Sequence, residues 1–451
     1  MSYEINKENI ESLKLLIEAG NEQEIGLLLN EVHHADIAEI IDELNFEEAK
    51  NLLQFIDNDL SAETLMELDD DLRDRLVKSS TNEEIAHQIN SLDSDDAADL
   101  IGDLSDDRQA GIISNIEDVE HASEIVDLLN YDEDTAGGLM QKEYIQAKVH
   151  WPVNRAIVEL RRQAEEVERV FTIYVVDEND HLLGVLSLKR LLFAQPTSII
   201  ESLYQHKNII SVPTSEDKES VAQIMQKYDL VTIPVVDLAG KLVGRITIDD
   251  VVDVIREEAE KDYQMASGIS ENVDADSSVW KTMRARLPWL IVGLLGGLGS
   301  VFIMEGFEEA LTKYRELFFF TPLIAAMAGN VGVQSSGIIV QGLANKSIQS
   351  GGLWKRLGKE LGTSFLNGIA LAILVVLFGI ALNYDMAFYL TIASSLVIVI
   401  LLASVIGTSI PLILNKWGID PALATGPFIT TSNDIFGILI YLYIAKLILG
   451  I

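Results

Sequence analysis

The chain has no cysteine among its 451 residues. That excludes disulfides, thiolate metal sites and cysteine nucleophiles, and it fits a reducing compartment. Positive charge is also scarce: 33 Lys and Arg stand against 70 Asp and Glu, a formal net charge of −37. Neutralising phosphates takes Lys and Arg, so no nucleic-acid partner is expected. The last of seven histidines is His206, so the C-terminal part has none. Residues 281–451 also lack a Gly-Lys-Ser/Thr loop and hold only scattered acids. The usual catalytic parts of a membrane-bound enzyme are therefore missing. The first residues, Met1-Ser2-Tyr3-Glu4, are polar, with no basic and apolar targeting segment.

What is present is unevenly spread. Residues 1–280 hold 62 acidic and 22 basic side chains, and residues 281–451 hold 8 and 11. A strongly acidic soluble region is thus joined to a near-neutral apolar one. Such an excess repels itself unless salt or cations screen it. Any single carboxylate can still be no more than part of a solvated helical face.

Residues 1 to about 130 show helical periodicity. Apolar side chains recur at three and four spacing: Ile37, Ile40, Ile41, Leu44; Leu65, Leu68, Leu72, Leu76; Leu100, Ile101, Leu104. The stretch Asp36–Leu44 is echoed by Asp96–Leu104, each followed by a polar break and another apolar helix. This predicts stacked helical hairpins, an all-α superhelical domain over 1–134. From about 135 the pattern changes to β-branched runs. Val170–Asp177 and Leu182–Ser187 return as Leu230–Asp237 and Leu242–Thr247, with Asp177/Asp237, Gly184/Gly244 and Ser187/Thr247 each 60 apart. A duplicated α/β module over 135–261 follows.

A connecting, plug-like helix is expected over 262–284, and an all-α transmembrane bundle of five helices over 285–451. The spans are Leu287–Ile303, Leu317–Leu343, Leu361–Leu382, Phe388–Leu414 and Ala422–Leu449, each near the length that crosses about 30 Å of hydrocarbon. With the N-terminus inside, inner segments carry 8 Lys and Arg and outer ones 3. The expected arrangement is a multi-pass protein of the cell (inner) membrane, in contact with lipid, its N-terminus cytoplasmic and its C-terminus outside.

Asp434 is the one ionisable residue inside the last apolar stretch before Lys446. A carboxylate at mid-bilayer costs roughly 2.5–3.5 kcal/mol on insertion scales and usually faces a wet path or a partner. Thr430 lies four residues earlier, on the same helical face. The second span carries Gly329-Asn330-Val331-Gly332-Val333-Gln334, whose two amides also share a face. Such a face can be helix packing with amide glue, but beside a second polar span it reads as a pore lining. Pro427 removes a donor and is expected to free a carbonyl. Carboxylate, hydroxyl and carbonyl oxygens are hard ligands that suit Mg²⁺, Ca²⁺ or Mn²⁺. Mg²⁺ sheds water reluctantly, so one Asp per chain would hold a largely hydrated ion.

Two resemblances rest on these residues. The repeated α/β unit resembles the CBS-domain pair, a module that often binds adenine nucleotides; Gly244, Thr247 and Asp250 match its motif, while Arg190 stands where the first copy would carry the acid. A nucleotide such as ATP is thus expected, if at all, at the second half. The whole chain, through Tyr131–Met140, the Asn330/Gln334 segment and Gly426–Asp434, resembles the MgtE magnesium channel family. That resemblance implies a homodimer that passes divalent cations between subunits and closes when cytosolic Mg²⁺ is high. It places the pore at Asp434, Asn330 and Thr430. It also places regulatory Mg²⁺ on Asp95 and Asp99, on Asp217, Glu219, Asp229, Asp250 and Asp253, and on Glu258 and Asp262. Lys261 replaces an acid of the last group. A cation-coupled divalent metal exporter or exchanger is the alternative, since the fifth span offers ligands for Na⁺ too; a purely sensory receptor is a further one.

Overall fold

The structure, a computed structural model, describes residues 5–164, 167, 169–270, 273, 277–344, 353–424 and 426–450. It separates into two units, Met1–Arg256 and Glu257–Ile451.

Short amphipathic runs separated by capping residues open the first unit. They form α1 (Lys7–Glu18), α2 (Glu22–Leu29), α3 (His34–Asp42), α4 (Phe46–Phe55), α5 (Asn58–Met66), α6 (Asp70–Ser79), α7 (Asn82–Ile89), α8 (Ser94–Gly102), α9 (Asp106–Ile113) and α10 (Val119–Leu128). Asn45 and Thr81 close capping boxes with Glu48 and Glu84. Asp57, Asp69 and Asp118 accept first-turn N–H groups. Part of the acidic surplus therefore sits where helix dipoles favour it. Helices pack on the second neighbour along the chain, α3 on α5, α5 on α7, α7 on α9 and α8 on α10. The Leu65–Leu76 run, expected as one stripe, is two helices: Asp69 caps α6, and Leu68 is buried in the turn between them.

The duplicated module follows. Its first copy is β1 (Ile145–Lys148), α11 (Val153–Gln163), β2 (Ile173–Val176), β3 (Leu182–Leu186) and α12 (Leu188–Leu192). The second is β4 (Val212–Pro213), α13 (Lys218–Tyr228), β5 (Thr232–Val236), β6 (Leu242–Thr247) and α14 (Ile248–Ala266). In each copy the first strand pairs parallel to the second, and the second antiparallel to the third. Both copies shift register at equivalent places, Val175/Val176 and Val235/Val236. Tyr174 Oη lies 2.9 Å from Thr232 Oγ1, a buried hydrogen bond between the copies. The sequence pattern did not reveal β1 and β4, which are too short to show a period.

The second unit is helical: α15 (Val279–Gly306), α16 (Glu308–Lys313), α17 (Glu316–Ala344), α18 (Leu353–Ala381), α19 (Met386–Lys416) and α20 (Gly426–Leu449). All but α16 are long and apolar enough to cross a membrane. The fifth span starts later than expected, because Pro421–Ala424 forms a 3-10 turn before α20. A continuous helix over 262–284 is also not what forms. α14 ends at Ala266, where Gly268 takes φ 79° and the N–H groups of Gly268 and Ile269 bond the Met265 and Gln264 carbonyls. This left-handed glycine cap stops a helix, and the next one begins at Val279. Residues 271, 272 and 274–276, part of the expected connection, lie outside those described.

Glycines set the spacing of the membrane helices. α17 packs on α19 and α20, α18 on α19, and α15 on α20. A Cβ on Gly407 of α19 would overlap the Gly332 carbonyl oxygen of α17, and a Cβ on Gly296 of α15 would overlap the Thr431 methyl of α20. The Tyr441 hydroxyl donates to the Leu317 carbonyl at 3.0 Å, tying α20 to the start of α17. Because backbone cannot swing aside, Gly407→Ala is expected to destabilise the detergent-solubilised protein by roughly 1–3 kcal/mol or more, the cost of overpacking, and so to lower its thermal unfolding midpoint. Gly297→Ala, which meets open space, should leave that midpoint unchanged in the same calorimetric scan.

Candidate functional site

α20 begins at Gly426, whose φ of 52° only glycine adopts cheaply. Pro427 follows in the first turn, where a missing N–H breaks no helical bond. The expected freed carbonyl is therefore not made there. Instead Thr430 Oγ1 donates to the Gly426 carbonyl at 3.0 Å. Asp434 lies one turn further on, half-buried against α17. A Cβ at Gly329 would stand 3.4 Å from Asp434 Oδ1 and 3.1 Å from the Thr430 methyl. Gly329 is thus a notch that lets Thr430 and Asp434 lie against α17, one residue from Asn330. Asn330 is exposed on the second unit, on one α17 stripe with Ala326, Gln334, Gly337 and Gln341. Three amides on such a stripe cannot face lipid without losing their hydrogen bonds.

Sequence reading did not single out Asn433. It is 1% exposed, and neither its Oδ1 nor its Nδ2 has a partner among the described residues. Its amide presses on Gly332, where a Cβ would overlap Nδ2. The residue lies inside the Thr-Thr-Ser-Asn-Asp run, but only packing separates the inward amide from the neighbouring carboxylate.

The second place where carboxylates gather is in the first unit, around α8. Asp95 is 6% exposed. Its Oδ2 lies 3.4 Å from Gln141 Nε2, and its buried Oδ1 has no hydrogen-bond partner among the described residues. Gln141 is oriented in turn by Arg245, whose Nε donates to Gln141 Oε1 at 2.7 Å. Glu143 accepts from the Ser94 N–H at 3.0 Å and the Ser94 hydroxyl at 2.8 Å, capping α8 from another segment. Asp250, in the first turn of α14, accepts from the Thr247 N–H at 3.1 Å and the Thr247 hydroxyl at 2.7 Å.

Burial, and next the charge of Asp250, hold the Asp95 carboxyl well above the usual range. Asp96 is pushed up to about 7, by burial first and then by Asp250 and Asp99. Asp250 is raised by burial, against the pull of the Thr247 hydrogen bonds. Asp253 is raised by partial desolvation and then by Glu67, although it keeps an exposed surface. Carboxylate oxygens are the donor type that a hard divalent cation takes. Asp96 and Glu143 were not singled out from the sequence; their helix-cap and inter-segment placement carries no local signal.

Other expected regulatory acids are apart within one chain. Asp217 caps the start of α13, accepting from the Glu219 and Ser220 N–H groups. Glu219 accepts from Gln223 at 2.9 Å. Asp229 ends α13 in the left-handed region, about 18 Å from Asp217 at 1.5 Å per residue. Asp99 is exposed on α8. On α14, Glu258 is paired with Lys261 at 3.1 Å, so the basic substitution occupies that acid; Asp262 lies one turn beyond it.

Known proteins match in the same order. A family model described as MgtE, divalent cation transporter, matches residues 321–444. The MgtE intracellular N domain matches 32–134, and the CBS domain matches 136–196 and 200–257. The magnesium transporter MgtE of Bacillus subtilis is 36% identical over 318 residues, 70% of each chain. That of Thermus thermophilus is 36% identical over 330 residues, 72% of this chain and 73% of the relative. A crystal structure of the cytosolic domain of the Mg²⁺ channel MgtE in complex with ATP aligns with TM-score 0.50 at 32% identity, covering 54% of this chain and 99% of that one. These relatives are transporters rather than enzymes.

The raised carboxyls give the first unit a pH dependence of known sign. Folded pKa values above the unfolded ones mean the native state binds more protons, so stability falls as pH rises from about 4 through about 7. In divalent-free buffer the first unfolding transition should drop over that window, by about 2–4 °C for each kcal/mol of repulsion. Millimolar Mg²⁺ should restore it at pH 7.5 but change little at pH 4. Asp96→Asn with Asp250→Asn should flatten both responses in calorimetry; an unchanged slope would exclude the cluster as their source.

Proposed function

Because this chain belongs to the MgtE family of divalent cation transporters, we propose that it is a Mg²⁺ channel whose acidic cytosolic region senses Mg²⁺ and closes the pore. The observation that carries the reading is the Asp434–Thr430–Gly329 contact beside the exposed Asn330 stripe. One copy leaves this polar face uncovered. A second copy related by a twofold axis would cover it and bring a second Asp434. Two carboxylates match the charge of one Mg²⁺, an ion that keeps several of its waters when bound by one or two carboxylates. The ion is cargo, so it needs moderate affinity rather than a closed cage. The N-terminal unit then lies on the cytosolic side, as the Lys and Arg distribution favours.

The sensing part follows from electrostatics. Like charges about 4 Å apart cost about 4 kcal/mol at an effective dielectric near 20. A divalent cation bound among the acids that surround Asp95 would convert such repulsion into attraction and favour the packed form. Asp250 belongs to the second CBS half and Asp95 to the helical domain, so the ion would bind the two together. The signal has a covalent route. α14 carries Asp250 at its start, and within the second unit its end meets α20: a Cβ on Gly426 would overlap the Ala266 carbonyl oxygen, and one on Gly268 would overlap Pro427. A shift of α14 therefore reaches the helix that bears Asp434. Asp99, Asp217, Glu219, Asp229, Asp253, Glu258 and Asp262 fit this scheme as contacts made across the dimer or between states. ATP remains compatible with the second CBS half, with Asp250 shared between the two ligands.

Asp434→Asn should cut Mg²⁺ uptake at least tenfold in a strain that depends on imported Mg²⁺, a barrier change of about 1.4 kcal/mol or more. Uptake at the native rate, with equal protein in the membrane, defeats the pore assignment. Neutralising Asp95, Asp96 and Asp250 together should leave patch currents open at millimolar cytosolic Mg²⁺; normal closure there removes the sensor.

A further inference from the structure

One chelating cluster adds a histidine to the carboxylates beside α8. Among the described residues, His121, Glu124 and Glu143 bring one ligand atom each to within 4.8 Å of one another. We infer that these three form a separate site for a borderline divalent ion such as Zn²⁺ or Co²⁺, which joins α10 to the segment leading into β1.

The ligand set is chemically selective. His121 and Glu124 are three apart on α10 and so share a face. Glu143 arrives from a different segment. An imidazole donor suits Zn²⁺ and Co²⁺ and is a poor match for Mg²⁺, which prefers oxygen. The second shell is already built. His121 Nε2 lies 3.1 Å from the Ile89 carbonyl oxygen. A carbonyl can only accept, so Nε2 carries the proton and the Nδ1 lone pair faces the carboxylates. His121 Nδ1 is 3.9 Å from Glu143 Oε1. Orientation of a ligand histidine by a backbone carbonyl is the usual outer-shell arrangement. Glu143 is likewise held by the Ser94 N–H and hydroxyl.

The surroundings favour a cation with water. The three residues line a cavity of about 400 Å³ that Asp93, Asp118 and Glu120 also border. Lys142 borders it too, but its ammonium bonds Asp127 at 2.6 Å and the Val243 carbonyl at 3.0 Å. Bonds of about 2.1 Å place ligand atoms at most about 4.2 Å apart, so binding needs contraction by a few tenths of an ångström per side chain. Water would complete the coordination. The ion would sit beside Ser94, the first residue of the helix that carries Asp95 and Asp96. A second metal would thus stiffen the sensor helix without competing for its carboxylates. The competing account is a protonated His121 paired with Glu143 and no metal.

The test uses the full-length protein in detergent with millimolar Mg²⁺ present to fill the oxygen-only sites. Titration with Co²⁺, followed by its visible d–d absorption, and with Zn²⁺, followed by calorimetry, should give one tight equivalent per chain. His121→Gln and Glu124→Gln should each weaken that equivalent at least tenfold, the lower end for disturbed metal shells. Circular dichroism melts identify a variant that fails to fold, and the other variant then decides. Native affinity in a folded variant, or displacement of Co²⁺ by Mg²⁺ at equal concentration, overturns the site. The readout is binding and spectrum, so it is independent of whether Asp434 conducts.

Discussion

A carboxylate drawn out of water must be protonated, paired or bound to a cation, and this chain withdraws carboxylates in two places. Asp434 is half-buried in an apolar helix, and Asp95 is almost fully buried with one oxygen unpartnered. Desolvation of this kind is tolerated when the group is neutralised, paired or bound to metal. In the first unit the folded chain supplies acids where it could have supplied bases: Asp96, Asp250 and Glu143 all raise the cost of charging Asp95. A fold that places acids together in this way loses stability as pH rises unless a cation offsets their repulsion. In the proposed function, that dependence is what lets an acidic region respond to Mg²⁺.

The membrane unit meets its constraint by close packing. Lipid offers no hydrophobic gain for bringing apolar helices together, so small residues and short contacts do the work. Gly329, Gly332 and Gly407 let α17 meet α20 and α19 almost backbone to backbone. The same closeness presses Asn433 inward and leaves Asp434 beside Gly329. Polar and structural roles thus alternate along a single α20 turn. The exposed amide stripe of α17 is the complement: it is unfinished in one copy, which is why a twofold partner belongs to the proposed pore.

Between the two, α14 is the economical link. Its first turn holds Asp250 through Thr247, and its glycine cap at Gly268 turns the chain where Gly426 and Pro427 begin α20. Neither contact leaves room for a side chain. The C-terminal end of α14 is therefore tightly fitted against the start of α20.

Much was readable without coordinates. Apolar periodicity located the helical region, the 60-residue offset located the duplicated module, and hydropathy located five spans. A lone acid in an apolar run named Asp434, because its cost does not depend on its neighbours. What the chain order could not supply was anything decided by packing between distant segments. The break after Ala266 hangs on one left-handed glycine, and the first-turn setting of Pro427 hangs on where α20 starts. Asp96, Glu143, Asn433 and the His121 cluster gain meaning only when another helix arrives beside them. Composition and period are properties of the chain, so sequence determined the architecture and the intramembrane charge. Burial and the distance between carboxylates are properties of the fold, and only tertiary structure could say which acids are driven to seek a cation.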